Sequence, residues 1–101
     1  MKMPLNEHEL KLDTGRYVIL FVLKWDAACQ QQEIWLSELE SEMHFNGITI
    51  DTEQMPMVTR SFRAEAVPLV VFIQEGIELQ RIEGFHSKDA LRSWLLSSEV
   101  F

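Results

Sequence analysis

Hydrophobic residues in this chain fall into two patterns, unbroken runs and helical spacing, and the two alternate. Residues 17–23 (YVILFVL) are continuously apolar, β-branched and aromatic. That is the signature of a strand buried on both faces, which belongs to a sheet covered by helices on each side. After Lys24-Trp25-Asp26 the spacing changes. Ile34, Trp35, Leu36, Leu39 and Met43 recur at helical intervals among Gln30, Gln31, Gln32, Glu33, Glu38, Glu40 and Glu42, and Asn46-Gly47 is expected to close the helix with a residue tolerant of positive φ. Residues 47–51 (GITID) predict a second strand, residues 56–62 a short helix with Pro56 in its first turn, and residues 69–73 (LVVFI) a third strand. Glu75-Gly76 reads as a tight turn, and Ile77, Leu79 and Ile82 predict a hairpin partner with one wetter face. Ser87 is the expected cap of a last helix burying Leu91, Trp94 and Leu95, with Val100 as a further candidate. Residues 6–12 are compatible with a short N-terminal helix. The order β-α-β-α-β-β-α predicts a three-layer α/β arrangement in one domain, residues 1–101.

Composition narrows the function. Sixteen acidic residues against nine Lys plus Arg give a formal charge of −7. Such a surface repels phosphate backbones and anionic lipid, so neither nucleic acid nor membrane is an expected partner. The longest apolar run is seven residues, and Glu7, His8, Glu9 and Lys11 stand where a signal peptide would need an apolar core. One cysteine, Cys29, allows no internal disulfide and fits a reducing compartment, so a cytoplasmic location is expected. His8, His44 and His86 are scattered, and no metal-ligand spacing is present. No cofactor is implied, and the oligomeric state stays open.

The junction after the first strand, Trp25-Asp26-Ala27-Ala28-Cys29, carries the candidate chemistry. A residue between a central strand and a helix N-terminus sits where backbone N–H groups favour negative charge. A thiol there has a lowered pKa and becomes a nucleophile. This chain puts Asp26 in that first position and its thiol three residues later.

These residues resemble the thioredoxin family, across residues 17–96. Thioredoxins carry WCGPC after the first long strand, where this chain reads WDAAC, residues 25–29. Their VDVDENP-type segment is similar to IDTEQMP (residues 50–56), their following aromatic to Phe62, and their cis-proline VPT to Val67-Pro68-Leu69. Glu75-Gly76 matches their hairpin turn, and Glu83-Gly84-Phe85 their VGA-type segment, with Ser87-Lys88 opening the final helix. The resemblance implies a thioredoxin-like α/β fold, a central mixed β-sheet sandwiched by α-helices, and a place in thiol-redox homeostasis.

The departures are concordant. The attacking cysteine falls on Asp26, and a carboxylate cannot undergo thiol–disulfide exchange. The resolving cysteine falls on Cys29 and the intervening proline on Ala28. The family's frequent buried acid in the first strand, and the lysine near it, fall on Leu20 and Thr49. The resemblance therefore implies no dithiol reductase activity. Asp26 has a structural reading as an N-cap, worth about 1 kcal/mol over alanine, and a functional one as a permanent imitation of a thiolate. Cys29 reads as a small buried hydrophobe, because burial and the Asp26 charge outweigh the helix dipole; the enzyme alternative is a monothiol oxidoreductase using Cys29 with glutathione or a partner thiol. The remaining reading is binding of a protein or extended peptide at a surface of Trp25, Asp26, Ala27, Val67, Pro68, Gly84 and Phe85, where Phe85 replaces a small residue and narrows the groove. Trp35 and Trp94 are expected in the core, and His86 as no more than a neighbour of the Ser87 cap.

Overall fold

A computed structural model describes residues 1–98; Val100 lies outside them. Four strands, β1 (Arg16–Val22), β2 (Gly47–Asp51), β3 (Leu69–Gln74) and β4 (Ile77–Glu83), lie in the spatial order β2-β1-β3-β4. β1 and β2 are parallel, which requires a crossover, and helix α1 (Ala27–Met43) supplies it. β3 runs antiparallel to both β1 and β4. Helices α2 (Pro56–Ser61) and α3 (Lys88–Ser97) complete the predicted order.

The continuous apolar run of β1 serves two cores. Val18, Leu20 and Val22 pack with Val70 and Phe72 beneath α1 and α3, against Cys29, Leu36, Leu39, Leu91 and Leu95. Ile19 and Phe21 face the opposite side with Ile50, Met55, Leu69, Val71 and Ile73, covered by Leu10, Leu12, Val58 and Phe62. Each large side chain so buried contributes about 1.5–3 kcal/mol relative to exposure.

Several expectations are corrected. The left-handed residue ending α1 is His44 (φ 60°), not Gly47. Gly47 opens β2 instead, donating its N–H to Glu40 Oε2 at 2.7 Å, and a Cβ there would collide with Met1 Sδ. Those neighbours are the ends of flexible side chains and Gly47 is not at positive φ, so neither space nor backbone demands a glycine there. Ile34 is 54% exposed, because it lies about 200° around the helix from Leu36. Trp94 is only partly buried, at the margin of the α1/α3 core. Residues 6–12 form just a 3-10 turn at Glu7–Glu9, capped by Asn6. On β4 the alternation breaks: Phe72 pairs with Gln80 and Ile73 with Glu78, leaving Leu79 as an extra, bulged residue. Ile77 and Leu79 are exposed on β4, an edge strand of the sheet. The turn before them is as expected, with Glu75 and Gly76 both at positive φ.

Candidate functional site

The register brings three loops to one end of the sheet. Phe21 pairs with Leu69 and Leu69 with Glu83, so the exit from β1, the entry to β3 and the exit from β4 lie side by side. Trp25 and Asp26 follow the first, Val67 and Pro68 precede the second, and Gly84 and Phe85 follow the third. The strand end of β2 joins them, since Thr52 donates its N–H to Val22 O at 2.9 Å.

Asp26 is the N-cap of α1, with extended backbone (φ −83°, ψ 126°). Its Oδ2 accepts the Cys29 N–H at 2.9 Å, satisfying one of the orphan donors of the first turn. Ala27 is exposed in that turn and Ala28 half-buried. Cys29 is 1% exposed, packed in the α1/α3 core, with the Leu23 N–H 3.5 Å from its Sγ. Burial pushes its thiol up to about 11; the Leu23 N–H opposes this, while the hydrogen bond to Asp26 and the Asp26 charge add to it. The helix N-terminus does not yield a nucleophile here. Native alkylation by iodoacetamide at pH 8 is expected to run at least about a hundredfold slower than that of a free thiol, recovering in urea. A native rate equal to that of a free thiol would show the sulfur to be open.

Across the junction the surface is apolar. Trp25 is 70% exposed, its indole Nε1 donating to Glu53 Oε1 at 3.0 Å. The Val67–Pro68 peptide is cis, and Pro68 O accepts the Gly84 N–H at 2.8 Å. Neither the N–H nor the C=O of Val67 has a hydrogen-bond partner among the described residues. Gly84 has φ 88°, a conformation that favours glycine, and open space where a Cβ would stand. Phe85 is half-exposed, its ring centroid 5.5 Å from that of Trp35 at a 42° tilt. It stands as a wall leaning on α1.

Two supporting residues escape sequence reasoning. Glu53 is one acid among sixteen until the fold brings it to Trp25. Gln32 is fully buried, its Nε2 donating to His86 O at 3.0 Å and its Oε1 accepting the His86 N–H at 2.9 Å. The available signal was position: Cys29, Gln32, Leu36 and Leu39 follow the spacing of one helix face, so Gln32 is a polar residue in a core register. His86 is thus more than a cap neighbour, and Trp35 is shared between core and site. Among the described residues, no cluster of three His, Cys, Asp or Glu could hold a metal ion, and no helix is long and apolar enough to cross a membrane.

The comparisons with known proteins agree with this geometry. The family model described as Thioredoxin matches residues 5–97. The chain is similar to an H-type thioredoxin of Fagopyrum esculentum, 27% identical over 81 residues, covering 78% of this chain and 70% of that protein. It is also similar to a thioredoxin of Chlamydia trachomatis, 24% identical over 79 residues, 77% of this chain and 78% of that one. A similarity to glutaredoxin 3 of Danio rerio, 26% identical over 73 residues, covers 71% of this chain but 22% of that protein. Among solved structures, a mutant thioredoxin from Halobacterium salinarum superposes with a TM-score of 0.84 at 20% identity, covering 96% of this chain and 88% of that one.

Proposed function

The chain belongs to the thioredoxin family, and from that premise we propose that it binds an extended protein segment without reducing disulfides. The observation that carries the reading is the backbone of Val67, unpaired among the described residues, at the end of the sheet where the loops carrying the exposed Trp25 and Phe85 also lie. A free N–H and C=O at the entry to a strand invite a partner backbone, and adjacent apolar rings supply specificity. The same junction argues against turnover. Asp26 stands in the attacking position, and the one thiol is buried with a raised pKa, the reverse of what a monothiol oxidoreductase needs. Asp26 holds a permanent negative charge where an attacking thiolate would stand, so the groove keeps its charge and loses its chemistry. A single buried thiol is also compatible with a cytoplasmic setting.

Fluorescence anisotropy with a library of fluorescein-labelled octapeptides tests the reading. Binding in the micromolar range is expected, weakened about tenfold or more by Trp25→Ala, as for an aromatic anchor at an interface. Binding that is indifferent to Trp25→Ala would sink the assignment of this surface.

A further inference from the structure

Gln32 sits where a leucine would pack, yet both ends of its amide are committed to one residue 54 positions away. We propose that Gln32 is a positioning residue: it locks residues 84–86 so that Phe85, held against Trp35, forms a wall that selects an apolar side chain in the bound segment. The inference rests on the peptide-binding reading above and adds the chemistry of what is bound.

The loop needs a lock. Gly84 lies at positive φ with no atom within 4 Å of where a Cβ would be, so packing does not hold the chain there. What restrains it is polar: the Gly84 N–H to Pro68 O, the His86 ring nitrogen Nε2 against Glu83 O at 2.8 Å, and the reciprocal pair with Gln32. The Gln32 amide matches the donor and acceptor of the His86 backbone as a neighbouring strand would. It does so from a fully buried side chain, reaching the partly buried backbone of His86. An apolar residue at position 32 would leave the His86 N–H and C=O unpaired.

The consequence falls on Phe85. One side of its ring leans on Trp35, and about half of the residue, 51%, remains exposed. A segment pairing with Val67 lays its backbone beside this ring, because Gly84 is bonded to Pro68. A branched or aromatic side chain in the segment then buries against Phe85, and alanine in its place does not reach it. Fixing the ring removes the cost of ordering it during binding, which is how a buried amide distant from the ligand sets selectivity.

The experiment compares octapeptides carrying Leu or Phe at each position with their alanine counterparts, on the full chain. The wild type is expected to favour the apolar peptide about tenfold at one position. In Gln32→Leu that preference falls to about twofold or less, the His86 amide exchanges faster with deuterium, and the Phe85–Trp35 NOE contacts are lost. Should Gln32→Leu fail to fold, Gln32→Met, similar in length and volume but without the amide that makes both bonds, is expected to lose the preference as well. A Gln32 variant that melts at lower temperature yet keeps the tenfold preference overturns the proposal, since a purely structural amide would behave so. Binding that depends on Trp25 but shows no apolar preference in the wild type also overturns it, leaving the peptide reading intact. Absence of any Trp25-dependent binding overturns both.

Discussion

Replacing Asp26 by cysteine is expected to switch on disulfide reduction, which the wild type is expected to lack. Two thiols are needed: one forms a mixed disulfide with the substrate, the other attacks that bond and releases the reduced product. Asp26 and Cys29 are already spaced for this, three residues apart at the first turn of α1, with the Cys29 N–H aimed at the side chain of residue 26. A cysteine there inherits that N–H and the helix N-terminus, both of which favour a thiolate. With dithiothreitol as electron source and insulin as substrate, the wild type is expected to match the uncatalysed background. Asp26→Cys is expected to exceed it about tenfold or more, and Asp26→Cys with Cys29→Ala to fall back. The pH profile carries a further signature. Cys29 must lose its proton to complete the cycle, and burial, the largest cause of its raised pKa, remains after the Asp26 charge is gone. The rate should therefore climb with pH from 7 to 9, approaching about tenfold per unit while the Cys29 thiolate limits turnover. A wild type that reduces insulin through Cys29 would reverse the functional reading.

What could be read from the sequence was what local pattern encodes. The double-faced β1, the Asp26 and Ser87 caps and the Glu75-Gly76 turn each depend on a few neighbouring residues, and all stand as expected. The Ile34 miss is one of helical phase, while others depend on residues outside the local window. His44 takes the left-handed cap, and Gly47 is already the first residue of β2, its N–H on the Glu40 carboxylate. The Leu79 bulge is a property of β3–β4 pairing, and no window of β4 alone contains it. At the site, the sheet register brings the loops carrying Trp25, Asp26, Val67, Pro68, Gly84 and Phe85 to one end of the sheet, but the Gln32–His86 pair beside Gly84 and Phe85 spans 54 residues. Its only trace in the sequence is one polar letter in an apolar register. The family resemblance pointed to this surface; the packing of Phe85 on Trp35 came from contacts.

Leu20→Asp is expected to be the most damaging single substitution in the chain, and to make stability depend on pH. Leu20 is fully buried in β1, with Thr49 beside it on β2 and Val70 on β3. Among the described residues Thr49 Oγ1 is itself buried without a hydrogen-bond partner, so the neighbourhood offers a hydroxyl in an otherwise apolar cluster. Loss of the leucine packing together with burial of a carboxyl group costs about 3–5 kcal/mol, against the roughly 5–15 kcal/mol typical of a whole domain. The sign of the pH effect follows from desolvation. The introduced carboxyl is held protonated in the folded state, so its folded pKa lies above its unfolded value near 4. The folded state then binds more protons, and stability is greatest below about pH 4. It falls by up to about 1.4 kcal/mol per unit as pH rises towards the folded pKa. Urea unfolding at pH 5 and pH 8 should show a lower midpoint at pH 8, with Leu20→Asn, similar in size but unable to ionise, showing no such difference. Equal midpoints for Leu20→Asp at both pH values would mean that its carboxyl finds water or a cation in the fold. The expected fall would instead mark the core that Leu20 shares with Cys29 as hydrocarbon that disfavours charge, the same desolvation that raises the Cys29 pKa and makes the rate of Asp26→Cys climb with pH.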